Sequence, residues 1–336
     1  MAEYAVSPEI ARVVLVAGVI LSMLFYERAQ LTTGGAIVPA YFALSANRPV
    51  AIAVTIAVGY LTYLIVHYVV GRRKILYGRK KFEVEVLVGL GLILVTTALA
   101  RAFGHLDPWL AGLAGIGFLI PGILAHDMGR QKPGRTIFAV AVTAAALVVV
   151  TQLLTRLLDV VPGQTEPEPV LASVLGYPRE VLIIAVGLSV VIGTFVFSRL
   201  GVRSGGFISG AYLALVSPRW PDLFFTATVA IATWFVVTRV LMPRLLLFGR
   251  RKLSTMILVG ALIGWSLEIV LSVLTHQQYQ PWRGLTVATL MVPALIANDA
   301  QRQGWERTVW GTGLTAVGVL AATNAVAAAA LAGGLL

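Results

Sequence analysis

The stretch RAQLTTGGAIVPAYFAL, Arg28 to Leu44, occurs a second time in altered form as RLGVRSGGFISGAYLAL, Arg199 to Leu215. Arg28, Gly34, Gly35, Ala40, Tyr41, Ala43 and Leu44 return as Arg199, Gly205, Gly206, Ala211, Tyr212, Ala214 and Leu215, each 171 residues later. A fixed internal period means that one structural unit is made twice. The boundaries read as residues 1–158 for the first copy and 180–336 for the second. Between them, residues 159–179 form an acidic, Pro-rich linker with Asp159, Glu166 and Glu168, of the kind expected for a flexible external loop.

What such a unit can fold into is set by its apolar runs. Hydrophobic residues make up 58% of the chain and charged residues 12%, well short of the roughly 25% charged residues that a water-facing surface needs. The expected fold class is therefore all-α, a polytopic membrane protein. Apolar runs fall at about 10–26, 34–46, 50–71, 84–103, 109–125 and 136–158, and again at 180–197, 205–217, 222–242, 254–275, 284–298 and 308–334. This gives about twelve helical segments in two tandem parallel repeats. The runs from Gly34 and Gly205 are too short to cross ~30 Å of hydrocarbon as helices. They are either re-entrant or complete a crossing together with the Gly-containing segment before them. The N-terminus lacks the basic flank of a cleavable signal, so the first run is expected to stay as a helix.

The net charge of +11 points to membrane orientation and not to nucleic acid, because the basic residues sit in short loops between apolar runs. With the loop Arg72 to Lys81 in the cytoplasm and all runs crossing, only Arg12, Arg48, Arg101, Arg156, Arg179, Arg219 and Arg283 fall outside. Re-entrant short runs would move the basic loop Arg130 to Arg135 outside, against the positive-inside bias. Twelve crossings with both termini outside are therefore expected. The chain has no cysteine, no Gly-rich ATP loop, no H-E-x-x-H and no G-x-S-x-G. It is not expected to catalyse a reaction alone, and no metal site is expected.

Three blocks recur. In the first, Gly34 and Gly35, and Gly205 and Gly206, either pack closely against a neighbouring helix or start a short helix whose N–H groups, beside Arg28 or Arg199, face an anion. In the second, ILYGRKKFE is matched by LLFGRRKLS, aligning Arg79, Lys80 and Lys81 with Arg250, Arg251 and Lys252. These serve as an anchor near anionic headgroups or as a partner-docking face. In the third, IPGILAHDMGRQKPGRT is matched by VPALIANDAQRQGWERT at an offset of 172. It pairs Pro121 with Pro293, Asp127 with Asp299, Arg130 with Arg302 and Gln131 with Gln303. The Asp and Arg stand three apart, close enough to pair on one helical turn, either as a cap or as a polar cluster on a vestibule. Glu85 and Glu268, inside apolar helices, call for a partner or a water path. His67 is expected to be packed, and Trp109, Trp220, Trp282, Trp305 and Trp310 are expected at the interface.

At these blocks the sequence resembles a known family. LSMLFYERAQLTTGGAIVPAYFAL, ILYGRKKFE and PGILA look like the PgsC/CapC membrane subunit of bacterial poly-γ-glutamate synthase, and PALIANDAQRQG in the second copy fits the same pattern. Members are typically one unit long, so this chain resembles two fused copies. Ala40 departs from the family's usual Gly, and Gly210 and Ser198 replace Pro39 and Glu27 in the second copy. That makes the second copy's first block the weaker functional candidate. The resemblance implies a membrane subunit of a capsule-type polyanion synthesis and export complex in the plasma membrane. It further implies a Mur-ligase-like PgsB/CapB-type partner that uses ATP and Mg, a PgsA/CapA-type envelope partner, and poly-γ-glutamate as product. An autonomous secondary transporter for a small organic anion is the alternative that the tandem repeat and broken helices leave open.

Overall fold

An apolar chain in lipid has to satisfy its backbone hydrogen bonds within itself, which only helices and closed barrels do. The computed structural model describes residues 8–73, 75–76, 78–104, 110, 112–158, 179–206, 208–276, 278–279, 281–282 and 286–332, and among them all regular structure is helical. The linker 159–178, Arg283 and Trp109 lie outside the described residues. The chain forms two compact units, Met1–Pro167 and Glu168–Leu336.

The first unit contains α1 (Pro8–Ala29), α2 (Val38–Leu44), α3 (Pro49–Leu64), α4 (Gly78–Phe103), α5 (Ile120–Gln131) and α6 (Pro133–Leu158). The second contains α7 (Arg179–Leu200), α8 (Ser209–Val216), α9 (Trp220–Phe235), α10 (Gly249–Leu274), α11 (Thr286–Gln303) and α12 (Trp305–Ala332). A π-helical turn continues α3 over Ile65–Val70 and α9 over Val236–Leu241. Among the described residues, eight helices are long and apolar enough to cross a membrane: α1, α3, α4, α6, α7, α9, α10 and α12. The chain is a membrane protein.

The seven residues of α2 span only about 10 Å, and their place is fixed by α1. Ser22, seven residues before the end of α1, meets Thr33, and Gly18 faces Ala40. The chain thus leaves the end of α1, runs back alongside it as a non-helical segment and continues along it as α2. The second unit repeats this: Ser204 faces Gly193, and Gly210 faces Ser189.

Two sequence expectations need correction. The short helices begin at Val38 and Ser209, not at the paired glycines. Gly34, Gly35, Gly205 and Gly206 have φ of 72°, 105°, 71° and 97°, a left-handed backbone that places them in the non-helical segment before those helices. Arg79, Lys80 and Lys81, and Arg250, Arg251 and Lys252, are not loop residues but the first turns of α4 and α10. Gly78 and Gly249, at φ 59° and 56°, turn the chain into those helices.

The helices pack closely through small residues. A methyl group on Gly122 would stand 2.6 Å from Val86 Cα, and one on Gly89 would stand 2.9 Å from the Gly122 nitrogen, so α4 and α5 touch backbone to backbone. Buried Thr55 and Thr62 return their hydroxyls to the carbonyls of Ala51 and Val58, four residues back, both at 2.7 Å, so neither adds an unpaired donor. Pro121 lies in the first turn of α5, whereas Pro293 is inside α11. In the first copy, Gly115 and Gly117 at φ 68° and 54° break the passage before α5 starts. Gly122→Val should cost about 1–3 kcal/mol by overpacking, read as a lower unfolding midpoint in mild detergent. Gly91→Val, where a side chain meets open space, should be nearly neutral.

Candidate functional site

The three repeated blocks meet at one end of each unit. In the first copy, Gln131 at the end of α5 takes both backbone groups of Thr32: the Thr32 N–H donates to Oε1 at 2.7 Å, and Nε2 donates to the Thr32 carbonyl at 2.5 Å. Nε2 also reaches Thr136 Oγ1 at 3.0 Å. In the second copy, Gln303 does the same to Arg203, at 2.7 and 2.9 Å, and to Thr308 at 3.0 Å. Hydroxyls of Thr33 and Ser204 donate to the carbonyls of Gly35 and Gly206, at 3.1 and 3.2 Å. The non-helical segment is therefore held by side chains from the third block.

The glycine pairs fit against that block. A methyl on Gly34 would stand 2.7 Å from Leu124 Cδ2, and one on Gly35 would stand 2.9 Å from Ile123 Cγ2. A methyl on Gly205 would stand 3.0 Å from Ile296 Cγ1, and one on Gly206 would stand 3.0 Å from Leu295 Cδ1. These are corresponding positions, so close packing is what both copies require of the glycines. The anion facing the Gly206 N–H is the protein's own Asp299, with Oδ2 at 3.2 Å.

The remaining candidates divide by burial. Asp127 and Asp299 are buried, and Arg130 and Arg302 are exposed. The expected Asp–Arg pair along one helical turn is replaced across the break: Asp299 Oδ1 lies 3.8 Å from Arg203 Nη1. Arg28 and Arg199 are exposed at the ends of α1 and α7, with the Arg199 guanidinium over the Phe195 ring at 5.6 Å. Lys80 and Arg251 are exposed, while Arg79 and Arg250 are half-buried. Lys81 and Lys252 turn inward.

The copies treat those inward lysines differently. In the first, Glu85 is 1% exposed; its Oε2 lies 2.7 Å from His126 Nδ1, and its Oε1 lies 3.9 Å from Lys81 Nζ. The Phe82 ring stands edge-on to His126 at 4.9 Å. At the start of α4, Arg79 Nε donates to Glu83 Oε1 at 2.5 Å. A buried carboxylate is sustained by such paired, hydrogen-bonding neighbours. In the second copy, Met256 replaces Glu85, Asn298 replaces His126 and Ser254 replaces Glu83. Lys252, 7% exposed, donates to Gln301 Oε1 at 2.5 Å.

Several features were not visible in the sequence. Trp282 is not an interface anchor: it is buried, with its indole N–H on Thr226 Oγ1 at 2.9 Å. Nearby, the Tyr279 hydroxyl donates to buried Asp222 at 2.5 Å, and Arg219 Nε approaches the other carboxylate oxygen at 3.2 Å. His67 is exposed and stacked on Tyr63 with centroids 5.2 Å apart. It lies on the π-helical turn of α3, whose counterpart on α9 holds Arg239 over Trp234 at 5.8 Å.

Fold and site together define a polytopic helical membrane protein made of two copies of one unit, each with a basic end closed by a glutamine. The model of the family "Capsule biosynthesis CapC" matches residues 17–137 and again 188–309, once in each unit, and the chain belongs to that family as a tandem duplication. It is 37% identical over 129 residues to the "PGA biosynthesis protein CapC" of Bacillus subtilis (strain 168), covering 37% of this chain and 80% of that protein. It is 38% identical over 123 residues to the "Capsule biosynthesis protein CapC" of Bacillus anthracis, covering 35% of this chain and 78% of that one. No solved structure matches.

Two outcomes follow from the geometry. Gln131→Leu or Gln303→Leu strands a backbone N–H and C=O inside the protein and should cost about 2–4 kcal/mol, measured by unfolding in detergent. Tyr279, outside the spans, has its pKa raised from 10.0 by burial, by its hydrogen bond to Asp222 and by that carboxylate's charge. A raised folded pKa gives stability that is complete below pH 10 and declines above it. Tyr279→Phe should therefore be less stable at pH 8 and lack this component of the alkaline decline.

Proposed function

We propose that this chain is a membrane subunit of a poly-γ-glutamate synthesis and export complex. In this reading it docks a cytoplasmic ATP-dependent ligase and helps pass the polymer across the plasma membrane. The observation that carries the reading is the double match to CapC, whose named relatives act in PGA and capsule biosynthesis, together with the gathering of all three repeated blocks at one basic end per unit. That end is cytoplasmic by the positive-inside rule.

Chemistry supports this division of labour. Making a γ-amide requires activation of a carboxylate, which the Mur-ligase-like PgsB/CapB-type partner performs with ATP and Mg; a PgsA/CapA-type subunit serves the envelope side. The exposed cations Lys80, Arg251, Arg130 and Arg302, with half-buried Arg79 and Arg250, form the docking faces. Their potential attracts acidic partners and polyanions at long range. The inward residues Asp127, Asp299, Lys81 and Lys252 fix the ends behind those faces.

Neutralising Arg79, Lys80, Lys81, Arg250, Arg251 and Lys252 together should reduce polymer output severalfold, with membrane insertion unchanged in fractionation; unchanged output would refute the docking role. The ligase encoded with this chain should co-purify with it in mild detergent. The interrupted passages at α2 and α8 favour a second reading, an autonomous carrier for small organic anions. Uptake by vesicles containing only this protein would establish that reading in place of the first.

A further inference from the structure

The two basic ends are built on one plan but carry different charge. At positions 32, 81, 83, 85, 127 and 130 the first copy has Thr, Lys, Glu, Glu, Asp and Arg. At the corresponding 203, 252, 254, 256, 299 and 302 the second has Arg, Lys, Ser, Met, Asp and Arg. Three acids against two cations become one acid against three. The change is concentrated on the inward side: Glu85 and Glu83, which face Lys81 and Arg79 in the first copy, are gone.

Lys252 is 7% exposed, and the charges that reach it are those of Arg302 and Arg203, both repulsive, and of Asp299. The Asp299 carboxylate is already shared between the Gly206 N–H and Arg203. Gln301 gives Lys252 a carbonyl oxygen, a dipole and not a charge. A lysine buried within reach of two more exposed cations is repelled by both, and a small anion beside it relieves the repulsion and its lost hydration. Arg and Lys supply the donors that an oxyanion takes, and the fork of an Arg suits a carboxylate.

We infer that the second unit's basic end is a carboxylate-binding site formed by Lys252, Arg203 and Arg302, positioned by Asp299 and Gln303. The first unit's end is satisfied internally by Glu85 and His126 and is not a second such site. The ligand class is a carboxylate-bearing chain, taken one carboxylate at a time. This deepens the poly-γ-glutamate reading and rests on it for the identity of that chain. It also reverses the ranking of the copies that Ser198 and Gly210 give, because the decisive residue, Arg203, has no counterpart in the first copy.

The test titrates tri-γ-glutamate into the full chain in phosphatidylcholine nanodiscs. Lys252→Gln and Arg302→Gln should each weaken binding at least tenfold, whereas Lys81→Gln, whose charge Glu85 already matches, should shift it less than twofold. Arg302 is exposed, so its variant reports even if Lys252→Gln fails to fold. Absent binding, or equal losses from Lys81→Gln and Arg302→Gln, would overturn the site. In discs containing phosphatidylglycerol the affinity should hold; its loss would assign the cations to a lipid phosphate and overturn the carboxylate. If the variants lose the trimer but a producing host carrying them makes as much polymer as before, the carboxylate site stands and the poly-γ-glutamate reading falls.

Discussion

A backbone that leaves the helix between apolar helices has no water to turn to, and at Thr32 and Arg203 one glutamine side chain takes its place. An amide matches a peptide group: its oxygen accepts from the N–H while its nitrogen donates to the C=O. Gln131 and Gln303 use both ends, and the second amide hydrogen goes to Thr136 or Thr308. Because each glutamine ends α5 or α11 and its threonine begins α6 or α12, a single residue joins three elements. The glycine pair can then lie flat on Leu124 and Ile123, or on Ile296 and Leu295. Without that clamp the peptide groups of Thr32 and Arg203 would lose both of these partners.

On that shared frame the inward lysine is the point of divergence. Lys81 belongs to a closed set with Glu85 and His126, while Lys252 bonds to the Gln301 amide oxygen and shares Asp299 with two other cations. Equal scaffolds with unequal charge are what a duplicated unit permits, since packing constrains the glycines and the glutamine far more tightly than it constrains the polar partners.

The helical class, the two units and the membrane setting could be read from hydrophobicity alone, because in lipid the apolar runs are the helices. The repeat also exposed the residues of the site, since Gly34, Asp127, Lys81 and their partners recur. What it hid was what does not recur. Arg203 stands opposite Thr32 and His126 opposite Asn298, so a search for identities passes over both. Glu85 could be seen to need a partner, but the nearer of its two partners, His126, lies 41 residues on, beyond any helical spacing. Trp282 looked like an interface residue from its place near a run's end, and only the packing around Thr226 shows it buried. The π-helical turns have no signal in an apolar run, where every residue suits either winding.

The asymmetry of the two ends has a consequence for how such subunits can be assembled. A one-unit protein that pairs with itself must repeat every substitution in both halves, so a Met in place of Glu85 would appear on each side or on neither. Here every copy of the chain carries one basic end whose inward lysine is paired with a carboxylate and one whose inward lysine is not, in a fixed ratio of one to one. No mixture of like and unlike pairs can arise, and no affinity between the halves is required to set the stoichiometry.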